Sequence, residues 1–254
     1  MPLMFNVFPY GIVRASTFQP LELRGEKTYM KRQEQQGFTL VEIAIVLVII
    51  GLLLGGILKG QEMITQAKIK NVIADMTGIS AAMYGYQDRY RALPGDDKNA
   101  TRWTGATAGN GDGIIQNPYL STTAAHESVA FWDHLRKAGF VSGTGIDQPF
   151  NAVSGKMGVQ TGDGPAIGTN PGGVLGTPGT PPTVPFTSLI LCSANLPDKI
   201  AIATDTQMDD GVPNTGTARS IAQTAPNPDV ISSSTAATAY QETGTNLYTL
   251  CHSL

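Results

Sequence analysis

The chain has 254 residues, 41% hydrophobic, 15% charged and 7% aromatic, with a formal charge of -3 at pH 7. That balance is too apolar for a disordered chain and too near neutral for a protein held on nucleic acid by its charge. With 29 Gly and 16 Pro favouring turns over element interiors, one globular domain with a modest core and long loops is expected.

The apolar residues are concentrated near the N-terminus. From Phe38 to Leu58 the sequence reads FTLVEIAIVLVIIGLLLGGIL, with Thr39 and Glu42 as its only polar side chains. A helix needs about 20 apolar residues to cross a bilayer core, so a purely cytosolic protein is disfavoured. A buried core helix is the competing reading, but nothing else in the chain is apolar enough to surround it. A cleaved secretory signal fits less well, because its apolar region spans about 7–15 residues and ends at a small-residue site. Arg24, Lys27, Lys31 and Arg32 precede the run, and Lys59, Lys68 and Lys70 follow it. That slight bias favours a cytoplasmic N-terminus.

The helical pattern continues beyond the run. Apolar residues recur at Ile69, Val72, Ile73, Met76, Ile79, Met83 and Tyr90, in steps of three and four that mark one buried stripe. Pro94-Gly95 closes the pattern, since proline disfavours helix at the residue before it. One helix from Phe38 to about Arg91 is therefore expected. Its first half suits lipid or a tight helical bundle, and its second half suits the face of a soluble domain.

Further along, Thr122-Thr123 offers an N-cap for an amphipathic helix over AAHESVAFWDHLRKAG, with Gly139 at its end. From Val141 to Pro185 the chain is rich in Gly and Pro and reads as a long surface loop. FTSLILCS (186–193), KIAIAT (199–204) and NLYTLC (246–251) read as strands, giving an α+β domain. Cys192 and Cys251 are the only cysteines, and both follow the membrane segment. An even pair in an exported domain reads as a disulfide, with two buried thiols as the alternative.

Candidate chemistry is sparse. Gly109-Asn110-Gly111-Asp112-Gly113 has the glycines of a phosphate loop but no following helix with Lys-Ser/Thr. His126 and His134 lack metalloprotease spacing and read as satisfied histidines, and no G-x-S-x-G occurs. Asp205, Asp209 and Asp210, and separately Asn110 and Asp112, supply oxygens of the kind calcium takes. Neither segment fits the EF-hand pattern, so plain turns are the alternative. Glu42 is the anomaly, because a carboxylate at depth in hydrocarbon costs several kcal/mol and calls for a partner.

Lys31-Arg32-Gln33-Glu34-Gln35-Gln36-Gly37, followed by Phe38-Thr39-Leu40-Val41-Glu42 and the unbroken apolar run, resembles the prepilin signal of type IV pilins and type II secretion pseudopilins. The resemblance implies a pilin-like α+β fold, a long N-terminal helix packed on a small antiparallel sheet with long Gly/Pro-rich loops. It implies cleavage between Gly37 and Phe38 by a membrane prepilin peptidase, and N-methylation of the new Phe38 terminus. Glu42 would then pair with the Phe38 amine of a neighbouring subunit. Gly51, Gly55 and Gly56 would allow close packing or local melting within a filament. In some pseudopilins calcium sits in acidic loops such as the one at Asp205, Asp209 and Asp210.

On this reading residues 1–37 are the leader, 38–58 the membrane and filament-core helix, and 59–254 an exported pilin-like domain. Met30-Lys31-Arg32 looks like a second, more typical start, which would make 1–29 an over-extended gene start; a long leader is the alternative. The expected partners are other pilin subunits, the prepilin peptidase, the inner-membrane assembly platform and, before assembly, membrane lipid. The leader carries five of the 17 basic and three of the 20 acidic side chains, so the mature subunit is mildly acidic and nucleic-acid binding is not expected. The expected function is structural: the mature length and long loops favour a type IV pilin, major or minor, first in the inner membrane and then in a filament. A type II secretion pseudopilin is the alternative within the class. Outside it stands a membrane-anchored periplasmic enzyme or receptor, which would need neither Glu42 nor the Gly37-Phe38 junction.

Overall fold

The computed structural model describes residues 37–162, 175, 186–228, 236 and 239–254. The leader up to residue 36 and most of the Gly/Pro-rich stretch after residue 162 lie outside the described residues. The chain divides into two compact units, Met1–Ile50 and Gly51–Leu254. Seven elements carry the fold: α1 (Leu40–Tyr90), α2 (Glu127–Lys137), β1 (Met157–Thr161), β2 (Leu189–Pro197), α3 (Asp198–Met208), β3 (Ala218–Ala222) and β4 (Leu247–Ser253).

In the first unit, α1 begins at Leu40 and its side chains are exposed. In the second unit, the α1 residues buried from Ile69 onward follow the expected stripe, with Val72, Met76, Ile79 and Met83 on one face. Ile73 and Tyr90 sit at its margin, partly buried. The helix ends at Tyr90, and Arg91 leaves it with φ 55. That is the left-handed conformation in which helices commonly terminate.

The strands form one antiparallel sheet in the order β1-β2-β4-β3. Strand side chains alternate between faces, so the two faces bury different sets. Leu191, Val159, Leu250 and Tyr248 join the α1 stripe, Trp132 and Leu135 in the main core. Ile190, Cys192 and Cys251 face the other way, against Tyr119, Leu175 and Phe186. Each outer strand is met by another segment of the chain. The Thr161 N–H donates to the Ile115 carbonyl (3.1 Å) and the Ser220 N–H to the Pro213 carbonyl (2.9 Å). Such contacts blunt edge-to-edge pairing with other chains.

Several expectations need correction. KIAIAT is not a strand but lies in α3, where Ile200, Ala201, Thr204 and Asp205 are buried. Their spacing of one, four and five is helical, and the alternation of isoleucine and alanine is incidental to it. β2 starts at Leu189 and runs on to Pro197, beyond the expected 186–193. The stretch from Val141 is not all loop, because MGVQT forms the edge strand β1. α2 starts four residues later than the proposed Thr122-Thr123 cap, with His126 as its N-cap residue. Nor is α2 amphipathic in place, since Glu127 to Leu135 are all buried.

Candidate functional site

The start of α1 carries the first candidate. Thr39 and Glu42 form a reciprocal pair. Glu42 Oε2 accepts from the Thr39 N–H and from the Thr39 hydroxyl, both at 2.8 Å, and the Glu42 N–H donates to Thr39 Oγ1 at 3.2 Å. This is a capping box, in which a Thr and a Glu three residues later satisfy two otherwise orphaned donors of the first turn. The T-x-x-E spacing carried this signal, and sequence reasoning passed over it in favour of an intermolecular partner. The two roles are compatible, because Glu42 Oε1 makes no hydrogen bond among the described residues. Phe38, beside the pair, is 82% exposed, and Leu40, Val41 and the apolar residues up to Leu58 are exposed with it. A Cβ added at Gly51, Gly55 or Gly56 would meet nothing within 4 Å. Each of these glycines costs about 1 kcal/mol against alanine in a helix. The chain's own packing gives no reason for them.

The GNGDG loop holds an anion of the protein itself. Asp96 Oδ1 accepts from the Gly111 N–H (2.6 Å) and Oδ2 from the Gly113 N–H (2.6 Å). The next carboxylate, Glu127, takes the Asn110 and Gln116 N–H groups (3.2 and 2.9 Å). Burial pushes the Glu127 carboxyl up, while these two N–H bonds pull it down. The backbone donors that a phosphate would need are thus occupied. Asp112 is likewise used locally, by Asn110 Nδ2, Gln116 Nε2 and the Ile114 N–H. Asn110 and Asp112 are turn residues.

Asp205, Asp209 and Asp210 do converge, with ligand atoms within 4.8 Å of one another. Asp205 sits on the last turns of α3, not in a loop, and is fully buried. Its Oδ2 accepts from the Tyr240 hydroxyl at 2.6 Å; its buried Oδ1 makes no hydrogen bond of ordinary geometry among the described residues, although the nearby Gly211 N–H also pulls the carboxyl down. Burial pushes this carboxyl up to about 6, and the charges of Asp210 and Asp209 add to the effect. Asp209 Oδ2 takes the N–H groups of Thr217 and Ala218, and Asp210 takes the Val212 N–H and the Thr215 hydroxyl. A hard cation fits this donor set, since it would give the buried Oδ1 a ligand bond and offset three crowded carboxylates.

Cys192 and Cys251 are bonded. They are a register pair on the adjacent central strands β2 and β4, both fully buried. Of the histidines, His126 Nδ1 meets Ser121 Oγ at 2.6 Å. His134 is fully buried among backbone partners.

Residues 32–58 match the family model of the prokaryotic N-terminal methylation motif. That motif is the signature of type IV pilins and pseudopilins, and it implies processing by prepilin peptidase and assembly with other subunits. Comparison with curated proteins and with solved structures gave no significant match. The matched segment contains the whole apolar start of α1, which is long and apolar enough to cross a membrane. Together these features suit a single-pass inner-membrane anchor.

Proposed function

We propose that the chain is the precursor of a structural subunit of a type IV pilus. A prepilin peptidase cuts it between Gly37 and Phe38, Phe38 is N-methylated, and the subunit assembles through the start of α1. The observation that carries this reading is the capped Glu42 within an exposed apolar helix start, inside the matched motif. A plain membrane anchor needs only the cap, which an uncharged glutamine would also supply without the cost of a carboxylate among apolar side chains. In a filament Glu42 Oε1 would meet the Phe38 amine of a neighbour, and only one axial stagger brings the two together. The test is mass spectrometry of filaments sheared from cells. The subunit is expected there, starting at Phe38; recovery only in membranes would contradict the proposal.

Processing gives a second expectation. Replacing Gly37 with a bulky residue should leave unprocessed precursor in the membrane, because a side chain there crowds the peptidase cleft. An immunoblot of the membrane fraction distinguishes precursor from mature subunit by size. Normal processing of Gly37→Trp would remove the assigned junction.

The acidic cluster favours a type II secretion pseudopilin as the second reading. Asp205, Asp209 and Asp210 would hold a calcium ion that ties the end of α3 to the loop leading into β3. At a calcium concentration 100 times Kd, the native state should gain about 2.7 kcal/mol. That gain should appear as a rise in Tm that EDTA reverses and that Asp209→Asn abolishes. A Tm indifferent to calcium would leave the three carboxylates as turn residues. Localisation separates the two readings, since a pilus subunit reaches the cell surface and a pseudopilus subunit stays in the periplasm.

A further inference from the structure

His134 lies on α2 with none of its surface exposed. Its Nδ1 accepts the Gly95 N–H at 2.8 Å. A backbone N–H only donates, so Nδ1 must carry a lone pair. The ring proton is then on Nε2, which donates to the Thr107 carbonyl at 2.8 Å. One neutral imidazole thus joins the turn after α1, the loop before α2 and α2 itself. Gly95 packs closely against α2. Its φ is 90, and a Cβ at that position would lie 2.5 Å from the Glu127 carbonyl oxygen in the first turn of α2.

We propose that this imidazole is an acid-labile latch: protonating Nδ1 sets two N–H donors against each other 2.8 Å apart and releases the 95–109 segment from α2. The disulfide-tied sheet contains no group of the latch and stays closed.

The charged surroundings decide the direction. Asp133 and Lys137, on α2 with His134, are paired with each other at 2.8 Å. From the loop, the Asp97 charge favours protonation of the ring, but Asp97 is held by Arg102 (2.8 Å) and by the Tyr86 hydroxyl (2.7 Å). From α1, Tyr86 stacks on the imidazole at 6.3 Å with planes 13° apart, and Trp103 lies tilted at 6.3 Å from it. Burial is the largest effect and holds the imidazole below its ordinary value, against the attraction of Asp97 and Asp133. The closed state therefore binds fewer protons than the open state once pH falls below about 6.5, and closure weakens with acid. Other groups are shifted as well: Glu127, on α2 and bonded to the Asn110 N–H, is raised by burial and opposes the effect of His134. His252 is also depressed by burial and acts in the same direction as His134, whereas Asp205 is raised and acts in the opposite one.

The test is amide hydrogen exchange on the full chain in detergent, from pH 7.5 to 5.0, corrected for intrinsic exchange rates. Protection at Gly95 and through 107–109 should fall at least tenfold more than protection in β2 and β4. His134→Gln offers an amide oxygen to Gly95 and an amide N–H to Thr107 but does not titrate, so it should flatten that difference. His252→Gln should leave it unchanged. Equal pH dependence in wild type and His134→Gln would overturn the proposal. Should His134→Gln fail to fold, nitrogen NMR of the wild-type ring decides. A neutral Nε2–H tautomer that charges only as the 95–109 protection is lost supports the latch. A ring that charges without that loss refutes it.

Discussion

Glu42→Leu is expected to stay in the membrane and to be lost from the filament. The substitution removes a carboxylate from the apolar start of α1, so insertion becomes easier. It also removes half of the Thr39-Glu42 capping box, which costs the first turn about 1 kcal/mol. Neither change reaches the globular part, whose α1 core begins at Ile69. In a filament core, the methylated Phe38 amine of the neighbour would be left without its counter-ion. Breaking a buried pair by removing one partner costs about 3–5 kcal/mol, roughly a factor of 100 to 1,000 or more in an assembly equilibrium. Glu42→Gln separates the two contributions. Glutamine keeps the capping box but not the charge, so it should insert and fold like wild type and still assemble poorly. The measurement is the ratio of sheared filament to membrane pool for each variant. Wild-type assembly of Glu42→Leu would mean that Glu42 serves only as a cap, and the anchor reading would gain.

The second large effect concerns the disulfide. Cys192 and Cys251 close 59 residues of chain and sit opposite each other on the two central strands. Opening a loop of that length costs about 4 kcal/mol in the chain-entropy model. For a domain of this size, that is roughly 8–16 °C in Tm. Cys192→Ala with Cys251→Ala should therefore melt well below the wild type under oxidising conditions. Both sulfurs are buried, so reductant should act on the folded protein only through its opening, and slowly. A double variant with an unchanged Tm would show that β2 and β4 are held by their ladder and core alone.

The long helix was legible because its periodicity runs for many turns, and Ile69, Val72, Met76, Ile79 and Met83 face the core as their spacing required. The cysteine pair was legible from count and position. Short elements were harder, for physical reasons. KIAIAT alternates like a strand, yet the helix that follows Pro197 buries Ile200 and Ala201 together and leaves Ile202 only partly covered. MGVQT and ARSIA are edge strands whose glycine, glutamine, arginine and serine give little hydrophobic pattern. α2 looked amphipathic because it carries Glu127, Asp133 and His134, but the 95–119 region supplies backbone partners for Glu127 and His134, the Asn110 and Gly95 N–H groups, and Asp133 pairs with Lys137 on α2 itself. Those contacts join residues far apart in sequence, and no local pattern encodes them. At the start of α1, by contrast, the capping box was written in four consecutive residues, Thr39 to Glu42, in the same side chain that stands out as a charge within the apolar run.

The central claim is that this chain is a prepilin whose mature subunit begins at Phe38. N-terminal peptide mapping of the mature protein tests it most directly. The predicted result is a terminus at Phe38 carrying one N-methyl group. An assembled protein that begins at Met1 or Met30 would contradict it.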